Sequence, residues 1–109
     1  MKFTVRNLVS ACMTMAAAGI LTTGAWAADA AAGKTLYATK CKSCHGADGT
    51  PPPAMVKALG VKPLSDPGTQ GKSDGDLKDA ILKGSGKMKA QAVSAGEADN
   101  LVAAIRTMK

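Results

Sequence analysis

The sequence predicts a small all-α domain of three or four helices, folded around a body that the chain does not itself supply. Three observations carry this reading. Apolar residues recur at helical spacing behind capping residues at Asp29, Ser73 and Ser94. From Gly46 to Gly71 the pattern breaks into a Gly- and Pro-rich stretch, and a loop of that length inside a compact domain usually wraps something. Beyond residue 27 the only aromatic side chain is Tyr37, little for a domain of this size to build a self-sufficient core upon.

The first 27 residues read as a leader. Lys2 and Arg6 precede an apolar run from Leu8 to Leu21 and the small-residue site Ala25-Trp26-Ala27, which are the parts of a secretory signal peptide in their usual order. A retained anchor fits less well, because the run is shorter than the ~20 apolar residues of a spanning helix and is interrupted by Ser10, Thr14 and Gly19. Val9-Ser10-Ala11-Cys12 imitates a lipoprotein box, yet almost no apolar segment comes before it. The expected organisation is therefore a signal peptide over 1–27, cleaved after Ala27, and one domain over 28–109 exported to the periplasm. Cleavage leaves 82 of the 109 residues and, with Lys2 and Arg6 gone, takes the net charge from +6 to +4. The basic residues are spread from Lys34 to Lys109 with no basic tract and no aromatic stacking platforms, which argues against nucleic-acid binding.

Within the domain, Asp29 caps a first helix running through Gly33, Leu36 and Tyr37 to about Lys40. The Gly/Pro stretch allows one turn of helix at Ala54 to Leu59. Ser73-Asp74-Gly75-Asp76 resembles a capping box and opens a helix with Leu77, Ala80 and Ile81 on one face, stopped at Gly84. Ser85-Gly86-Lys87-Met88-Lys89 is then a loop, flexible enough to present a methionine between polar neighbours. Ser94-Ala95-Gly96-Glu97 is a second capping box, and Leu101, Val102 and Ile105 form the apolar stripe of a terminal helix.

Cys41-Lys42-Ser43-Cys44-His45 carries the chemistry. Cys-x-x-Cys-His is the haem c attachment sequence, and on a helical turn the three reactive side chains fall at about 0°, 300° and 40°, all on one side. Two thioethers and one axial imidazole can then meet a single porphyrin. A zinc site would need four ligands, and one His with two Cys do not supply them. A thioredoxin-like dithiol would sit in a βαβ context that is missing here, and the remaining alternative is a structural disulfide between Cys41 and Cys44. His45 is the only histidine of the chain, so bis-histidine and multihaem arrangements are ruled out. The sixth iron position falls to Met, Lys, solvent or nothing, with Met opposite His raising the potential of electron carriers. Met55, Met88 and Met108 are the candidates beyond the leader, each equally able to be a gap-filling apolar residue; Met108 stands near a frayed helix end.

On these residues the chain resembles the class I c-type cytochromes, specifically the short bacterial monohaem kind. The resemblance spans the whole of 28–109: Gly33-x-x-Leu36-Tyr37, Cys41-x-x-Cys44-His45-Gly46, Lys62-Pro63-Leu64, Gly84-x-Gly86-Lys87-Met88 and Ile105-Arg106. It implies a small cytochrome c fold wrapped around one covalently held haem c. It further implies that the first and last helices cross, that the Pro63 carbonyl accepts from the ring of His45, that Leu64 packs on the porphyrin, and that Met88 is the distal ligand, making His45 and Met88 the metal ligands. Family members often place an aromatic residue where Ala104 stands, so the crossing at Gly33 should be thinner than usual.

The function so implied is electron transfer by a non-enzymatic carrier, a monomer without membrane insertion that meets redox partner proteins. Lys42, Lys87 and Lys89 are placed to steer encounters with acidic partners. The alternatives are a haem-based sensor or enzyme with an open distal site, and a cytochrome subunit of a larger redox complex.

Overall fold

The computed structural model describes residues 28–109; the expected leader and its cleavage site lie outside the described residues. The described residues fold into six helical segments: α1 (Ala30–Lys40), α2 (Lys42–His45), α3 (Pro53–Leu59), α4 (Pro67–Gln70), α5 (Asp74–Lys83) and α6 (Ala95–Arg106). Four of them have seven residues or more, matching the expected three or four, and α2 and α4 are single turns. The fold is all-α.

The helix starts lie where the capping residues place them. The Asp29 carboxylate accepts from the N–H groups of Ala31 and Ala32, the Ser73 hydroxyl from that of Asp76, and the Ser94 hydroxyl from that of Glu97. Only the last is a complete capping box, in which Glu97 accepts in return from the Ser94 N–H. Pro53 at the start of α3 and Pro67 at the start of α4 occupy first-turn positions, where the missing N–H costs nothing.

The core forms where α1 crosses α6, and α5 also packs against α6. Tyr37, Leu64, Leu77, Ile81, Ala98, Leu101, Val102 and Ile105 make one buried cluster. The expected crossing at Gly33 is present, and close. A Cβ at Gly33 would overlap the backbone carbonyl of Asn100 and lie 3.1 Å from the Cβ of Ala104, which is fully buried. Two small residues thus let the helix backbones approach, where a larger side chain at 104 would hold them apart. The Asn100 side chain adds a stitch, accepting from the Asp29 N–H at 2.8 Å.

The remaining segments are tied down by polar contacts. The Leu64 N–H donates to the Gly49 carbonyl at 2.9 Å. Gln70 Nε2 donates to the carbonyls of Leu64 and Ile105, and Arg106 donates to the carbonyls of Gln70 and Lys72 and to the Asp74 carboxylate. No helix among the described residues is long and apolar enough to cross a membrane.

Candidate functional site

The site begins with a bend. α1 ends at Lys40, Cys41 leaves ideal helical geometry at φ −117°, and the chain turns at once into α2. Its carbonyl accepts from the N–H groups of Cys44 (3.3 Å) and His45 (2.9 Å), so Cys41 through His45 do form the helical turn that the spacing requires. Both cysteines are free thiols rather than a disulfide. Behind them the Tyr37 hydroxyl donates to the Gly46 carbonyl. Burial, reinforced by Cys41 and Asp48 nearby, pushes that hydroxyl up to about 12, so it stays a donor at any ordinary pH and holds the end of α2 against the core.

Cys41, Cys44 and His45 open into a cleft of about 480 Å³. Its floor and walls are the core side chains Leu64, Leu77, Ile81, Leu101 and Ile105, and Met88 also lines it. Burial raises the Cys41 thiol, an effect that Lys40 opposes, and burial lowers the imidazole of His45 below its usual value. His45 is therefore held neutral, with a ring nitrogen available to a metal. Its Nδ1 is buried and has no hydrogen-bond partner, a condition that proteins rarely leave uncorrected.

Met88 reaches the cleft from a loop more ordered than expected. The Ser85 N–H donates to the Met88 carbonyl at 3.0 Å and the Met88 N–H to the Ser85 carbonyl at 2.9 Å, closing a two-residue turn. Gly86, at its first central position, has φ +57°, a region open chiefly to glycine. Farther on, the Gln91 N–H donates to the Ile81 carbonyl. The expected loop is thus a turn closed by two hydrogen bonds, and Met88 lines the cleft from it.

The other sequence candidates divide. Leu64 is buried in the cleft wall. Met55 sits half-buried on α3 outside the cleft, and Met108 packs beside Gly49 and Leu64, its sulfur 3.3 Å from where a Gly49 Cβ would stand. The expected bond from His45 to the Pro63 carbonyl is not formed. That carbonyl accepts instead from the Asp66 N–H at 3.0 Å, closing the turn into α4. Lys87 and Lys89 line the cleft, together with Lys40, Lys62 and Lys72, and no carboxylate does. Lys42 lines a separate depression beside Lys34 and Asp48. Lys40, Lys62 and Lys72 escaped the sequence reading because their convergence depends on how three distant segments fold together.

These residues fit a haem. The cleft is apolar, two thiols stand on the turn that carries a neutral imidazole with an orphaned nitrogen, a thioether faces the same space, and the rim is positive, as suits a cofactor bearing two carboxylates.

Comparison with known proteins agrees. The family model described as "Cytochrome C oxidase, cbb3-type, subunit III" matches residues 28–105. Among solved structures, the KustC0563 c-type cytochrome is 31% identical with a TM-score of 0.62, covering 71% of this chain and 96% of its own. A tyrosine-to-phenylalanine mutant of Kustc0563 is 30% identical with a TM-score of 0.60, covering 71% and 98%. No curated protein matches. With the family matched over nearly the whole described domain and the fold shared with c-type cytochromes, this chain belongs to the small class I c-type cytochromes, which are haem-based electron carriers.

Proposed function

We propose that this chain is a periplasmic electron carrier holding a single haem c through thioethers at Cys41 and Cys44, with His45 and Met88 as the axial ligands. The observation that carries the proposal is the convergence of those four side chains on one apolar cleft rimmed by unopposed lysines. When bound, the haem supplies a reversible one-electron iron couple, and the protein's part is to hold it and tune its potential. Leu64, Leu77, Ile81, Leu101 and Ile105 exclude water from the cleft.

Mass spectrometry of protein matured in a cytochrome c-producing host tests the proposal. The expected product starts at Ala28, carries the mass of one haem, and keeps its colour through denaturation and acid-acetone extraction. A chain without haem mass, or one with Cys41 and Cys44 joined, overturns it.

The lysine rim supports an acidic redox partner. None of the five cleft lysines is in an ion pair among the described residues, where the pairs are Lys78–Asp99, Lys83–Asp79 and Arg106–Asp74. The association rate measured by stopped flow is therefore expected to fall steadily as salt rises, since exposed charges are screened over roughly 8–10 Å near physiological ionic strength. A flat rate would leave the rim with no part in steering. The oxidase-subunit description of the matching family favours a second reading, a component of a larger redox assembly. Migration of the native protein at the mass of the 28–109 chain plus one haem would reject it.

A further inference from the structure

α4 and the residues that follow it form one wall of the cleft, and α4 itself buries no side chain. Thr69 and Lys72 line the cleft, and α4 is four residues long. What fixes this wall is a pair of side chains. Gln70 Nε2 donates to the Leu64 carbonyl at 2.8 Å and to the Ile105 carbonyl at 3.1 Å, bridging the wall to the last turn of α6. From that same turn Arg106 reaches back, its Nη1 donating to the Gln70 carbonyl at 2.8 Å and its Nη2 to the Lys72 carbonyl at 2.6 Å. Its Nε and Nη2 also meet one oxygen of Asp74, at 3.0 and 2.8 Å. The Asp74 side chain is 77% exposed, so that ion pair adds little by itself. The carbonyl bonds matter more, because they tie the backbone of this wall to the last turn of α6 and use the planar fork of an arginine.

We infer that Gln70 and Arg106 are positioning residues for the cofactor: by holding the backbone of Leu64, Gln70 and Lys72 they set how closely the Lys72 ammonium stands to the iron, and through it the reduction potential. The physical reason is charge. Oxidation adds a positive charge at the iron, and a cation nearby disfavours it by an amount that falls with distance. Lys72 differs in this from the other lysines of the rim. Lys40 adjoins Cys41 and so belongs to the thioether edge, Lys87 and Lys89 flank Met88, and Lys62 follows the exposed stretch after α3. Lys72 alone has its own carbonyl clamped by a side chain from another helix.

The inference rests on the haem-binding reading above, and its test keeps the two apart. Gln70→Met and Arg106→Lys both preserve net charge, and Gln70→Met in addition moves no charge of its own, so it is the cleaner probe of the groups it releases. Each is prepared as haem-loaded protein and titrated potentiometrically, alone and combined with Lys72→Gln. The expected result is a downward shift of the potential for Lys72→Gln, a smaller downward shift for each neutral variant, and no further shift when either is added to Lys72→Gln. An unchanged or raised potential in the neutral variants overturns the inference, as does a shift that persists undiminished without Lys72. A lower melting temperature at constant potential would likewise make the pair a structural brace only. If Arg106→Lys does not fold, the near-isosteric Gln70→Met decides alone. Absence of covalent haem from the parent protein would instead refute the haem-binding reading.

Discussion

On the proposed His45/Met88 ligation, replacing Met88 by alanine should convert a closed, six-coordinate haem into an open one. The expected signs are loss of the Met–iron charge-transfer band, a lower reduction potential and formation of a CO adduct by the reduced protein. The expectation rests on placement: Met88 lines the same cleft as His45 and is presented by a turn that closes on itself through two hydrogen bonds. Met55→Ala supplies the contrast. Met55 is half-buried on α3 and outside the cleft, so its loss should leave spectrum, potential and CO reactivity alone. Stability should fall by about 1–2 kcal/mol, roughly half the lower range for a fully buried methionine. If Met55→Ala opens the iron and Met88→Ala does not, the distal ligand is Met55.

The second large effect is expected at Gly33. Ala is the better helix former by about 1 kcal/mol, and at an exposed site Gly33→Ala would stabilise α1. Here the added methyl has nowhere to go, because its nearest neighbour is the backbone carbonyl of Asn100 rather than the end of a flexible side chain. α1 and α6 must part, loosening the contacts of Tyr37 and Ala104 and lengthening the bond from Asp29 to Asn100. Overpacking of this kind costs about 1–3 kcal/mol, enough to reverse the propensity gain. At roughly 4–8 °C per kcal/mol for a domain of this size, thermal melts of the haem-loaded protein should show Gly33→Ala several degrees below the parent. An unchanged or raised melting temperature would mean that the crossing tolerates the extra carbon.

Helix starts were legible because a capping residue acts within four positions of itself, and Asp29, Ser73 and Ser94 each accept the N–H bonds that their side chains are built to accept. The attachment motif was legible for the same reason, its geometry being that of a single turn. Met88 carried a local sign, a methionine set between polar neighbours after Gly84 and Gly86, whereas Leu64 could be placed at the site only through the family resemblance. The Gln70–Arg106 bridge could not be read at all. It joins side chains to backbone carbonyls 34 to 36 residues away, and a carbonyl carries no side-chain signature of who will bind it. The closed turn before Met88 did leave a trace, since glycine at the first central position of a two-residue loop is the mark of that turn. The missing Pro63 bond shows the reverse: a proline marks where a free carbonyl can stand, not which donor will meet it.

The placement of α1 against α6 also bears on the order in which the molecule assembles. The Asp29–Asn100 bond joins residues 71 positions apart, so the central helix pair comes together only by closing most of the 28–109 domain into a loop. Such closure is entropically costly and slow compared with forming a single helix. Until it happens, Tyr37, Leu101 and Ile105 have no partners across the crossing, while the Cys41–His45 turn needs only residues close along the chain. In a chain not yet closed the thiols and imidazole would stand clear of α6, with room for a bulky reagent to reach them, and closure would narrow that access.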